Sequence, residues 1–101
     1  MNPIISTLLQ QLNWREMSMM IGAKAAVHGE KDLSFRFPMC KKANVCRIEY
    51  DEGMDLYNMT FSKMRKYEVK EVETFPMLYA EDLKITFEGF TGLDTRLPFG
   101  R

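Results

Sequence analysis

The strongest constraint on this chain is a change in the spacing of its apolar residues. Near the N-terminus, Ile4, Leu8 and Leu12 recur every four residues, which is the period of one helix face. In the middle, residues 33–37 alternate between apolar and polar side chains, as in a strand with one buried face. Residues 79–90 return to the four-residue spacing. The chain therefore combines helices at both ends with a sheet between them.

Two helical segments are predicted before the sheet. The first covers residues 3–13, where Asn2 suits the N-cap and Pro3 the first helical position, since that N–H is unpaired in any case. Residues 14–21 repeat the helical spacing, and Gly22 is expected to end that segment. Residues 22–32 are interpreted as a connection because they hold small residues between two glycines.

The sheet is predicted to contain three or four strands. They are expected over residues 33–37, 45–50 and 57–62, with a fourth running from Tyr67 toward Phe75 and ending before Pro76. The short gaps favour antiparallel pairing, because a parallel crossover needs about a dozen residues or more.

A C-terminal helix is predicted from the apolar series Tyr79, Leu83, Phe87 and Phe90, with Gly92 as its stop signal. We therefore expect an α+β fold, a two-layer sandwich in which the N- and C-terminal helices pack on one face of an antiparallel three- to four-stranded meander. The absence of repeats and linkers in the sequence predicts a single domain over residues 1–101.

Composition narrows the function classes. The chain has 14 basic and 14 acidic residues, and no apolar run approaches the roughly 18–20 residues of a membrane span, so no membrane partner is predicted. The N-terminus does not read as a secretory signal, which predicts a cytoplasmic protein. Cys40 and Cys46 are therefore expected to be free thiols, and with His28 they are too few for a zinc site. No metal or cofactor is predicted.

No catalytic motif is recognised. The single histidine removes most designs that pair a serine or cysteine with histidine, and the phosphate-binding glycine motifs are absent. Asp51, Glu52 and Asp55 cluster at a predicted turn, where acidic side chains are ordinarily solvated. We therefore expect a protein that is not an enzyme.

The sequence resembles a group of short, uncharacterised phage and prophage proteins that end in a YAxxLxxxFxxxTGLxTxL-like pattern. The resemblance lies in residues 79–83, Phe87 and residues 91–97, and extends to residues 22–24, 33–38 and 54–57. It implies a mobile genetic element expressed in bacterial cytoplasm. It also implies an accessory protein that binds and blocks or redirects a host protein or defence complex.

Two segments are rich in cations. Residues 31–47 hold five basic residues against one acidic residue, and residues 63–70 hold four against one. Our first hypothesis is that they form a surface for a host protein, and the alternative is a nucleic-acid-binding protein that uses the same surface. In that alternative Arg36 and Lys70 would also contact phosphates from the open sheet face. The candidate residues are Lys41, Lys42, Arg47, Lys63, Arg65 and Lys66.

Apolar interface residues are predicted from the nine methionines and the tail. Met19 and Met20 cannot both share one narrow helical stripe with Met17, which makes Met19 a candidate for exposure. The candidates for an exposed apolar patch are Trp14, Met19, Leu97 and Phe99. Self-association through a sheet edge or a helix face is the simplest use of such a patch.

Overall fold

A five-stranded antiparallel meander forms the centre of the protein in a computed structural model that describes residues 3–95. The strands follow one another in chain order across the sheet. The helices are α1 (Pro3–Leu12), α2 (Trp14–Ile21) and α3 (Leu83–Thr91), and a 3-10 turn over Ala80–Asp82 leads into α3. The strands are β1 (Lys24–His28), β2 (Asp32–Arg36), β3 (Val45–Asp51), β4 (Leu56–Arg65) and β5 (Glu68–Leu78).

The predicted α+β class is confirmed, and the helix boundaries follow local signals. α1 and α2 are separated at Asn13, which adopts a left-handed conformation with φ of 49°. Gly22 ends α2 and Gly92 ends α3, each at a positive φ that glycine adopts without steric cost. The predicted N-cap Asn2 lies outside the described residues.

Two edge features differ from the sequence prediction. Residues 24–28, interpreted as part of a connection, form β1, and β5 continues through Pro76 to Leu78. β1 is fully exposed and has no apolar alternation, so it leaves no hydrophobic signal. Pro76 is tolerated because β5 is an edge strand with a bulge at this point, where a missing N–H breaks no ladder hydrogen bond.

The start of the last helix also differs from the prediction. α3 begins at Leu83 and not at Tyr79, whose backbone is extended with ψ of 158°. Leu83 and Phe87 are fully buried as the spacing predicts, but Tyr79 is 60% exposed. The strand preceding the turn carries Tyr79 away from the helical stripe.

One face of the sheet carries the core. Phe35 of β2, Cys46 of β3 and Phe61 of β4 are direct cross-strand neighbours, and all three are buried. The ring of Phe35 lies 4.9 Å from Trp14 of α2 and 6.0 Å from Phe87 of α3, centroid to centroid. Arg47, Glu49, Asn58 and Thr60 occupy alternate positions of β3 and β4, so the middle of the second face is hydrophilic.

Asn44 joins the loop between β2 and β3 to strand β4. Its side-chain amide donates to the Met64 carbonyl at 2.9 Å, and its Oδ1 accepts from the Met64 N–H at 2.8 Å. These two bonds extend the β3–β4 ladder and hold the loop that carries Lys41 and Lys42 beside β4.

Replacing Asn44 by alanine is expected to lower the free energy of unfolding by about 1–3 kcal/mol, because two partly buried backbone groups lose their partners. Chemical denaturation measures the change. Asn44→Asp keeps the acceptor and loses the donor, so its stability should lie between the two. An unchanged midpoint in Asn44→Ala would contradict this role.

None of the helices within residues 3–95 has the length and apolar character needed to cross a bilayer.

Candidate binding site at the basic end of the sheet

The sheet topology gathers cations from distant parts of the chain. Lys24 pairs with Arg36, which in turn pairs with Val45, and Val45 pairs with Ser62. The start of β1, the end of β2, the start of β3 and the end of β4 therefore lie at one end of the sheet. We call this the basic end; the acidic Glu68 lies there opposite Arg65, and its cations are Lys24, Arg36, Lys41, Lys42, Lys63, Arg65, Lys66 and Lys70.

The opposite end of the sheet is acidic. It contains the turn between β1 and β2 and the turn between β3 and β4. The cation Lys31 is present there, but its Nζ lies 2.7 Å from a carboxylate oxygen of Glu52. The two ends of the sheet therefore carry opposite charges although the formal net charge of the chain is zero, and this separation produces a long-range field. The acidic side chains of this end are Glu30, Asp32, Glu49, Asp51, Glu52 and Asp55.

Cations of the basic end make no ion pair with another described residue, although two of them are held by carbonyl oxygens. Lys63 Nζ donates to the Lys41 carbonyl at 3.3 Å. Lys42 Nζ donates to the Phe90 carbonyl at 2.9 Å and lies 4.9 Å from the Phe90 ring centroid. Lys42 therefore stabilises the C-terminal end of α3, where a positive charge is favourable, and contributes less than its neighbours to a free cationic surface.

Arg47 does not join the basic end. It lies in the middle of β3 on the polar face, where its Nη2 is 2.8 Å from Asp32 and 3.5 Å from Glu49. Its Nε also donates to Asp32 at 2.9 Å. Because two carboxylates compensate its charge, Arg47 belongs to a polar network within the sheet.

The β4–β5 turn projects a tyrosine from the basic end. Arg65 pairs with Glu68, and the two residues between them form the turn. Lys66 has φ of 49°, which is uncommon for a residue other than glycine, and the Tyr67 side chain is 100% exposed. Val69 follows at 64% exposure. Tyr67 was missed as a surface residue in the sequence because it fits the start of an alternating strand.

Two of the four apolar candidates, Trp14 and Met19, lie among the described residues. Met19 is 66% exposed on α2, as expected, but Trp14 is half-buried against Phe35. Leu97 and Phe99 lie outside the described residues. The exposed apolar side chains are instead concentrated along β5 and its flanks, at Tyr67, Val69, Val72, Met77 and Tyr79.

Shifted pKa values are found in the core and at the acidic end of the sheet. Burial raises the pKa of the Cys46 thiol well above its ordinary value. The hydrogen bond from Tyr50 to Asp55 raises the pKa of Tyr50 to about 12 at the acidic end. Cys40 and Cys46 are both buried, free thiols. Within residues 3–95, no three histidine, cysteine or acidic side chains come together in a cluster suited to a metal ion.

Comparison with known proteins finds no matching family model, no matching curated protein and no matching solved structure. The function therefore has to be argued from the residues of the basic end.

Proposed function

We propose that the chain is a binding protein that takes an acidic protein partner at its basic end and acts by covering that partner's surface. The observation that carries this proposal is the cluster of cations that make no ion pair with another described residue, bordered by the fully exposed Tyr67 and by Val69. Cations alone would suit any polyanion, but exposed apolar side chains among them favour a protein surface.

Tyr67 has the properties of an anchor residue. Tyrosine and arginine are enriched among the residues that dominate protein interfaces. Tyr67 lies on the two-residue turn that directly follows Arg65. A tyrosine also has few side-chain torsions to order on binding, so its ring provides contact area at low entropic cost.

The separated charges would affect the rate and the orientation of binding. An acidic partner is attracted by the basic end and repelled by the acidic end, which favours one docking orientation. That the partner is a host protein or defence complex, met in bacterial cytoplasm, follows from the resemblance to phage proteins and is part of the proposal.

The test compares two double variants that each remove one cation and one exposed apolar side chain. Arg65→Gln with Tyr67→Ser alters the basic end, and Lys31→Gln with Met54→Ser alters the acidic end as the matched control. Tagged proteins capture partners from nuclease-treated bacterial lysate, and the captured protein is purified for titration calorimetry. We expect the basic-end variant to weaken the affinity at least about tenfold, and the control to leave it within about twofold.

Two outcomes would contradict the proposal. One is that no protein is captured by the wild-type chain above the level of an untagged control. The other is that the acidic-end variant loses as much affinity as the basic-end variant, which would place the interface elsewhere.

Nucleic acid is a second candidate partner, favoured by the position of Tyr67 among cations. Bases stack on exposed aromatic rings, and unpaired lysine and arginine side chains neutralise phosphates. In that case, affinity for labelled single- or double-stranded DNA or RNA should fall steeply with salt. Replacing Lys63, Arg65 and Lys66 by alanine should then reduce the slope. The absence of binding at about 50 mM salt would exclude this candidate.

A further inference from the structure

We infer that a cleft within the basic end, formed by Lys24, Arg36 and Lys63, binds a phosphate-type oxyanion. The cleft has a volume of about 340 Å³, and its walls are completed by Phe37, Pro38 and Asn44. This inference goes beyond the proposed partner binding, because it concerns a small anion and a site that the turn residues Arg65–Tyr67 do not line.

The first reason is an uncompensated pair of like charges. Lys24 of β1 and Arg36 of β2 are direct cross-strand partners, an arrangement in which like charges repel and destabilise the sheet. Among the described residues, no carboxylate lines the cleft. Neither cation forms an ion pair with a described residue. A bound anion would convert this repulsion into attraction.

The second reason is the supply of hydrogen-bond donors from separate strands. Arg36 presents a planar guanidinium with five N–H groups, and Lys24 presents an ammonium with three. Lys63 enters from β4, and its Nζ uses one N–H on the Lys41 carbonyl, which holds it in place and leaves two donors. Lys24 and Arg36 point to the same face of the sheet because they are cross-strand partners, so an oxyanion with several acceptor oxygens can use both.

The third reason is the remaining wall of the cleft. Phe37 is 1% exposed, and Pro38 has no backbone N–H, so neither competes for the anion with a polar group. The Asn44 side chain is already committed on both atoms to Met64. This side of the cleft therefore offers few groups that compete for the anion, and recognition falls to the cations.

The test titrates the isolated full chain with inorganic phosphate, with chloride as the reference salt at equal ionic strength. Arg36→Gln removes one cation from the cleft, and Arg65→Gln is the matched control because it makes the same charge change at the same end of the sheet. Calorimetry should show about tenfold weaker phosphate binding for Arg36→Gln and a change within about twofold for Arg65→Gln. A parallel titration with adenosine monophosphate distinguishes the two sources of phosphate. Tighter binding of adenosine monophosphate indicates a phosphorylated ligand, and tighter binding of inorganic phosphate indicates the free anion.

Thermal denaturation gives an independent readout. In chloride buffer, Arg36→Gln should melt about 2 °C above the wild-type chain, because the cross-strand repulsion is removed. In phosphate, the melting temperatures of the wild-type chain and of Arg65→Gln should rise. The melting temperature of Arg36→Gln should rise much less.

Equal gains in all three proteins would overturn the inference, because phosphate raises the stability of most proteins by exclusion from their surface. The absence of binding heat with the wild-type chain would overturn it as well. Neither result decides the protein partner, whose test uses the variant of Arg65 and Tyr67, and a failed capture experiment leaves the phosphate titration unaffected.

Discussion

Replacing Phe87 by alanine is expected to lower the free energy of unfolding by about 3–5 kcal/mol. Phe87 is fully buried, and its ring centroid lies 6.0 Å from Phe35, 5.2 Å from Phe37 and 5.8 Å from Phe61. Truncation removes the ring that α3 inserts among three rings of the sheet and its β2–β3 loop, and leaves a cavity that these neighbours cannot fill. A loss of this size is a large part of the stability of a typical small domain.

The matched control is Ile85→Ala, which lies on the same helix with its side chain 62% exposed and should change the stability by less than about 0.5 kcal/mol. Urea denaturation can be followed through Trp14, the one tryptophan of the sequence, whose ring packs on Phe35 at 4.9 Å. A loss below about 1 kcal/mol in Phe87→Ala would contradict the packing of α3 on the sheet.

Elements with one buried face could be predicted from the sequence, and their boundaries could not. Phe35 belongs to an apolar series with the period of a strand, and Phe87 belongs to one with the period of a helix. The sequence therefore predicts the burial of both. Tyr79 fits the same helical series, but its position depends on how far β5 extends. That extent is set by pairing with β4, where Tyr57 lies opposite Leu78, and such pairing leaves no local signal in the sequence.

The edge strands were the main gap in the prediction. β1 has no buried face, and Ala25 within it has φ of 53°, which marks a bulge. Met77 near the end of β5 has φ of 60° at another bulge. Bulges and charges on edge strands reduce pairing with other chains, and they also remove the alternation from which a strand is recognised.

The candidate site was predicted in part. Lys41 and Lys63 were identified from cation-rich segments, but only the antiparallel register brings those segments to one end of the sheet. Lys24 could not be predicted as part of the site, because residues 22–32 resemble a connection in the sequence and not a strand. The compensation of Arg47 depends on Asp32, which is 15 residues away in sequence and lies on the adjacent strand.

Raising the pH above about 9 is expected to destabilise the protein by about 1.4 kcal/mol per pH unit through the Cys46 thiol alone. Cys46 is fully buried between its cross-strand partners Phe35 and Phe61, and burial raises its pKa far above the ordinary 9.0. In the unfolded chain the same thiol ionises from about pH 9. The unfolded state then releases a proton that the native state retains, so the stability is fully present below pH 9 and falls as the pH rises.

The measurement is the free energy of unfolding from urea denaturation at several pH values between 8 and about 11, for the wild-type chain and Cys46→Ala. The variant should be less stable at pH 8 because of the cavity, but its loss per pH unit should be smaller. The loss per pH unit should not reach zero in the variant, because two tyrosines also have raised pKa values. Burial raises the pKa of Tyr57, and the hydrogen bond to Asp55 raises the pKa of Tyr50. Equal pH slopes in the two proteins would mean that the Cys46 thiol ionises as readily in the native state as in the unfolded chain, which its position in the core forbids.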